Sequence, residues 1–198
     1  MTTYGVARTL IYIVSRLLWR VRAYGRENVP LHGPLIIASN HRSNLDPPIL
    51  GAYCPRRISY MAKSELFAIP VLGAMITSFG AYPVDRHGSA TAAIKRSVAV
   101  LRAGGCIGIF PEGGRNLDGT REAREGVALL ASLAGVPVVP AALVGTARSR
   151  QFAQMKVAYG KPMRLPAGRK ATREDLAKFT DEVMGAIAAL AENIGGNT

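Results

Sequence analysis

Cysteine is nearly absent: Cys54 and Cys106 are the two in 198 residues, and they lie in different segments. That excludes a disulfide framework, and neither has a partner at metal-ligand spacing. Cys106 falls inside an apolar run, so both read as reduced core thiols rather than nucleophiles. Histidine is scarce too, with His32, His41 and His87 scattered along the chain. No further His or Asp stands at ligand spacing, so no metal is expected. Acidic residues number 13 against 25 lysines and arginines, a formal charge of +12. Such a balance favours polyanionic partners: nucleic acid, anionic lipid or phosphorylated substrates. The charge comes without a helix-turn-helix, zinc-finger or RNP-type pattern, so no nucleic-acid partner is expected. No apolar run reaches the roughly 20 residues that a bilayer-spanning helix needs. Repeats and low-complexity linkers are also missing, which leaves one domain with one sizeable core.

What is present is a sheet-and-helix alternation. Residues 34–39 read as a short buried strand, and Asp46 followed by Pro47 and Pro48 has the form of a helix N-cap with proline in the first turn, the helix running to about residue 53. A strand follows at 58–62, then an apolar run over 66–84, broken by Pro70 and Gly73, with a short lipid-facing or core helix at 70–78. Residues 89–103 carry Ala90, Ile94, Val98 and Leu101 on one helical face and stop at Gly104-Gly105. Strands are expected at 106–110, 136–144 and 155–160. Thr120 opens another helix that ends at Gly135, and the capping-box pattern Thr172 to Asp175 opens the last. The fold class is therefore α/β: a single domain with a central, largely parallel or mixed sheet covered by helices, its catalytic loops at one rim.

Ahead of this lies an amphipathic N-terminal segment, residues 1–22, before a domain of residues 23–198. On a helical wheel Val6, Leu10, Ile13, Val14, Leu17, Leu18 and Val21 gather on one side and Arg8, Arg16, Arg20 and Arg22 on the other, flanked by Tyr12 and Trp19. This is the pattern of a membrane-associated helix lying in the interface, although the same apolar arc would serve packing on the domain itself. Residues 1–26 hold five arginines and no acid. Charge continues through the end of the run and no small-residue cleavage site follows, which argues against a signal peptide.

Three constellations carry chemistry. Asn40-His41-Arg42-Ser43-Asn44-Leu45-Asp46-Pro47 puts an imidazole and a carboxylate five residues apart. On a regular helix that offset separates them by about 140°, so they meet only if the chain turns between them, as base and orienter. The plainer alternative is a solvated histidine beside a capping aspartate. Val84-Asp85-Arg86 ends a second apolar run on charge. Phe110-Pro111-Glu112-Gly113-Gly114-Arg115-Asn116 delivers a carboxylate and a guanidinium onto a glycine-bearing loop, where N–H groups can converge on an anion. His32 and His87 read as ordinary loop histidines.

Taken in order, these motifs and Val136-Pro137-Val138-Val139-Pro140 resemble the four motifs of the glycerolipid acyltransferases, over residues 23–164. The third motif departs from that family's usual Phe-Pro-Glu-Gly-Thr-Arg-Ser at Gly114 and Asn116, and two hydroxyls are absent. The resemblance implies a peripheral or monotopic enzyme of phospholipid biosynthesis on the cytoplasmic face of the cell membrane. It would transfer an acyl group from acyl-CoA or acyl carrier protein to the free hydroxyl of a lysophospholipid, in first place 1-acylglycerol-3-phosphate to give phosphatidic acid. His41 would be the general base and Asp46 its orienter. Glu112, Gly113 and Arg115, helped by Arg86, would bind the acceptor phosphate, with Glu112 orienting Arg115 or bonding a glycerol hydroxyl. Lys63 takes a position similar to a basic residue of the family's cleft. No cofactor is implied. The competing readings are a non-catalytic lipid-binding module and an acyltransferase for another lysolipid.

Overall fold

Every residue of the apolar run before His41 is buried, and that run is the middle of the sheet: β2, Leu35–Ser39. The computed structural model describes residues 3–78, 80–84, 90–117, 120–166 and 171–195. In chain order the strands are β1 (Arg22–Tyr24), β2, β3 (Ser59–Lys63), β4 (Tyr82–Val84), β5 (Cys106–Ile109), β6 (Val138–Val144) and β7 (Lys156–Tyr159). The helices are α1 (Thr3–Leu18), α2 (Asp46–Tyr53), α3 (Ser64–Phe67), α4 (Pro70–Ser78), α5 (Ala90–Arg102), α6 (Gly126–Ala134) and α7 (Arg173–Asn193). The sheet order is β1-β7-β6-β2-β5-β3-β4. Strands β6, β2, β5, β3 and β4 run parallel, and β7 is antiparallel to β6 with β1 parallel to β7.

Two apolar layers cover the sheet, as strands buried on both faces require. On one face Leu35, Ile37, Val139 and Leu143 pack with Ile49, Leu50 and Tyr53 of α2. On the other, Ile36, Ile107 and Val138 meet Leu101 of α5, Val127 and Leu130 of α6, and Phe179, Val183 and Ile187 of α7. Gly108 in β5 is required by a close approach: a Cβ there would sit 2.3 Å from Cε1 of Tyr60. Helix α7 opens on the expected capping box, with Thr172 accepting from the Asp175 N–H and Asp175 accepting from that of Thr172. Both cysteines are buried, and burial pushes the Cys54 thiol up to about 11 and the Cys106 thiol up to about 12.

The expected boundaries fail in two places. Asp46 does not cap α2; it is the first helical residue, and its side chain accepts nothing from that helix. Pro47 and Pro48 supply no N–H, and the Ile49 N–H goes to the Leu45 carbonyl, so no donor is left for a cap to satisfy. Thr120 does not open a helix: α6 starts at Gly126, because the Arg121 and Arg124 N–H groups are taken by Asn116 Oδ1 and the Pro111 carbonyl. Gly73 lies inside α4, whose expected span of 70–78 the structure reproduces. It is buried within that helix, and a Cβ there would collide with the Phe67 carbonyl oxygen at 2.4 Å.

Helix α1 lies beside α2 and α4 with its apolar stripe outward. Leu10 is 61% and Leu17 74% exposed, and Val6 and Ile13 accompany them on that side. The inward side is mixed: Ile11 packs on the core, Ser15 and Tyr4 are buried, and Arg8 donates from Nε to the Ala52 carbonyl at 3.2 Å and from Nη2 to that of Cys54 at 2.6 Å. Arg8 thus occupies the carbonyl end of α2, where a cation is favoured. Among the described residues no helix is long and apolar enough to cross a membrane.

Candidate active site

Parallel strands deliver their carboxyl ends to the same edge of a sheet, so β2, β5, β3 and β4 bring together segments far apart in sequence. His41 follows β2, Glu112 to Arg115 follow β5, Lys63 ends β3, and Val84 ends β4. Strands β2 and β5 are neighbours at the centre, so the first and third motifs face each other directly. Arg86 lies outside the described residues, as does the side chain of Lys63.

The first motif is folded by its own aspartate. Oδ2 of Asp46 accepts from the Arg42 N–H at 2.6 Å and the Ser43 N–H at 2.6 Å, and lies 3.0 Å from Nδ1 of His41. The Asp46 N–H returns to the Ser43 carbonyl at 3.1 Å, closing the turn. Asp46 is fully buried, whereas the His41 side chain keeps 15% exposure. The expected meeting of base and orienter is therefore present, and the solvated-loop alternative fails. With Nδ1 committed to the carboxylate, Nε2 is the nitrogen left to exchange a proton with a reactant. The His41 ring stacks on Phe110 at 4.3 Å and 26°, and Phe110 stacks on Tyr60 at 6.2 Å.

Two further contacts fix the loop's backbone. Asn40 pairs its amide with Leu143 in β6, donating to its carbonyl at 2.9 Å and accepting its N–H at 2.8 Å, as a strand neighbour would. Glu112 receives the His41 N–H on Oε2 at 2.7 Å and Nδ2 of Asn116 on Oε1 at 3.3 Å. The Asn116 N–H in turn reaches the His41 carbonyl at 2.6 Å. Burial raises the Glu112 carboxyl above its usual range, and the N–H of His41 and the amide of Asn116 act against that rise. Both Glu112 oxygens thus serve the His41 loop, a use that the expected partnership with Arg115 or with a hydroxyl did not anticipate.

Gly113 stands at φ 68°, a left-handed conformation that glycine adopts without a Cβ penalty, and its N–H closes a turn on the Phe110 carbonyl at 3.0 Å. Arg115 is exposed beyond it. Arg42 reaches the same loop, donating from Nη2 to the Leu117 carbonyl at 3.3 Å. Sequence reasoning missed the roles of Asn40, Phe110 and Asn116, and missed Arg121 and Arg124, which lie over the two glycines. The available signal was the three-residue spacing of these arginines just past the third motif.

The shared partners of Glu112 and Asn116 predict coupling. Glu112→Ala leaves the His41 N–H without its acceptor and destabilises the fold by about 1–3 kcal/mol; Asn116→Ala costs about 1 kcal/mol. The double variant falls short of the sum, because each single change already breaks the bond between them. Denaturant unfolding of the three variants checks this, and strict additivity would show that the two side chains act independently.

Comparison with known proteins agrees with this geometry. A 1-acyl-sn-glycerol-3-phosphate acyltransferase of Bacillus subtilis (strain 168) is 29% identical over 192 residues, 94% of this chain and 96% of that protein. An enzyme of the same name from Borreliella burgdorferi is 37% identical over 127 residues, but these are 62% of this chain and 50% of the relative, so the match spans half of its length. The crystal structure of the 1-acyl-sn-glycerophosphate (LPA) acyltransferase PlsC from Thermotoga maritima superposes with a TM-score of 0.68 at 22% identity, covering 94% of this chain and 82% of that one. It shares the fold. Residues 20–144, which include the whole of the rim just described, match the family described as Acyltransferase, and the chain belongs to that family.

Proposed function

We propose that this acyltransferase moves a fatty acyl group from a thioester to the free hydroxyl of 1-acylglycerol-3-phosphate, giving phosphatidic acid. The observation that carries the reading is the His41–Asp46 pair at 3.0 Å, one partner fully buried and the other part-exposed at the rim. An alcohol is a weak nucleophile at neutral pH and needs a base as it attacks; an imidazole, with an ordinary pKa of about 6.5, is mostly neutral there. Nε2 of His41 takes the hydroxyl proton while the oxygen bonds to the thioester carbonyl carbon. The C–S bond then breaks, and the thiolate leaves with the proton returned by the imidazolium. Asp46 holds Nδ1–H and stabilises the cation in between. No covalent enzyme intermediate is required, because the thioester is already activated.

The acceptor is read from the relatives' names and the loop chemistry together. Arg115, on a glycine loop tied to His41, suits a phosphate through its planar fork. Lys63, at the end of β3, belongs to the same rim by topology, and it and Arg86, which lies outside the described residues, are assigned to the substrate cleft. Glu112 contributes by setting the His41 backbone. Acyl-CoA and acyl carrier protein are the donors that a basic protein suits, both being anionic.

The outward stripe of α1 supports peripheral binding to an anionic bilayer, with residues 1–22 as the interfacial element and the 66–78 segment, where Ile69 is 49% exposed, as a second contact. A domain that needed α1 for its own core would turn Leu10 and Leu17 inward; here Arg8 and Ser15 face inward. Each arginine near an anionic surface adds about 1 kcal/mol, and the anionic leaflet of a cell is the cytoplasmic one.

Two outcomes follow. His41→Ala lowers kcat by about 10² to 10⁴, and Asp46→Ala by less, since the base is lost in one case and its orientation in the other. Retention of more than about a tenth of kcat by His41→Ala would remove His41 from the mechanism. In flotation assays the full chain binds anionic vesicles more than neutral ones, weakened but not abolished by salt, whereas a variant lacking residues 1–22 binds less. Equal flotation of the two proteins would move the anchor elsewhere.

A further inference from the structure

We propose that Arg121 and Arg124 form, over Gly113 and Gly114, a cradle for the phosphate of the acceptor, with Gly114 glycine because Arg121 occupies the space a side chain would take. This rests on the acceptor reading above. A Cβ built on Gly113 would lie 2.9 Å from Nε of Arg124, and one built on Gly114 would lie 2.7 Å from Nη1 of Arg121. Both guanidinium groups therefore lie directly on the glycine loop. Gly113 needs its freedom for φ in any case, but at Gly114 the Arg121 guanidinium is the one neighbour a Cβ would meet, so a side chain there displaces Nη1 of Arg121.

The backbone that carries these arginines is fixed to the same loop. The Arg121 N–H donates to Asn116 Oδ1 at 3.2 Å and the Arg124 N–H to the Pro111 carbonyl at 2.9 Å. Asn116 and Glu112 are bonded in turn to the His41 backbone, so the cradle and the base share one rigid connection. Among the described residues, the ion pairs are His41–Asp46 and Arg173–Glu125, and no carboxylate pairs with Arg115, Arg121 or Arg124. Glu112, the carboxylate that precedes the two glycines, has both oxygens committed elsewhere. Arg121 and Arg124 are exposed and reachable by a ligand.

Guanidinium groups gathered on a glycine turn match a phosphate monoester, whose three terminal oxygens accept forked N–H pairs. Coenzyme A also carries phosphates, and the geometry favours the acceptor as the source. The acceptor hydroxyl has to reach Nε2 of His41, and in a 1-acylglycerol-3-phosphate that hydroxyl is on the carbon next to the one bearing the phosphate. The backbone of the cradle is joined through Asn116 to the His41 loop, which puts the phosphate site and the base on one connected set of loops.

The test measures KM of the full-length enzyme in mixed micelles for 1-acylglycerol-3-phosphate, for 1-acylglycerol lacking the phosphate, and for the acyl donor. Arg121→Gln and Arg124→Gln each raise KM for the phosphate-bearing acceptor about tenfold or more, with the other two constants unchanged. Gly114→Ala reproduces Arg121→Gln by displacing Nη1, and the double variant is no worse than either single one. Arg121→Lys recovers part of the loss, keeping charge without the fork. A rise confined to the donor KM would assign the cradle to the donor, and equal rises for both acceptors, or additive effects of Gly114→Ala and Arg121→Gln, would overturn it. Thermal unfolding close to that of the wild type confirms that each variant is folded. A wild type without preference for the phosphate-bearing acceptor would overturn the acceptor reading itself, and with it the cradle, before any variant is compared.

Discussion

A carboxylate removed wholly from water costs several kcal/mol unless donors converge on it, and Asp46 is such a carboxylate. Two backbone N–H groups and an imidazole nitrogen meet on one of its oxygens. The convergence bends residues 41–46 into a tight turn, and the turn brings His41 back over its own orienter. The rest of the rim is built against that loop. Asn40 ties it to β6, Glu112 and Asn116 tie it to the loop after β5, and Phe110 supplies a flat surface under the imidazole ring.

Parallel topology makes this economical in sequence. Because β2 and β5 are parallel neighbours that end at the same edge, the first and third motifs, some seventy residues apart, need only sit after their strands to share a site. The glycines then set the clearance: Gly108 lets Tyr60 close on β5, and Gly113 and Gly114 keep the loop low enough for guanidinium groups to lie over it. Helix α1 stands apart from this logic, since it meets the domain through a narrow mixed side of Tyr4, Arg8, Ile11 and Ser15 and most of its large apolar residues are left outside.

Much of the fold was legible because hydrophobic periodicity and turn residues agree. The strand before His41, α5 with its glycine stop and the capping box at Thr172 all carry local signals that the tertiary structure has no reason to override. The failures share a cause. At Asp46 and at Thr120 the residue types favour a helix start, but the polar groups there are engaged within irregular loops, Asp46 back to Arg42 and Ser43 and the Arg121 N–H to Asn116, instead of capping a helix. Of the candidate site, the meeting of His41 with Asp46 and the glycine turn after β5 were legible. The struts between them were not. An amide at residue 116 reads as a lost hydroxyl until Glu112, His41 and Arg121 are seen around it.

The pairing of Nδ1 with Asp46 fixes which imidazole nitrogen can act as base, and nitrogen-15 NMR of histidine-labelled protein reads that assignment directly. His41 is expected as the neutral tautomer protonated on Nδ1, with a hydrogen-bonded proton there that is lost in Asp46→Asn, and with Nε2 unprotonated. A wild-type His41 carrying its proton on Nε2 at neutral pH would contradict the assignment, because no lone pair would then be available at Nε2 to receive the acceptor's proton.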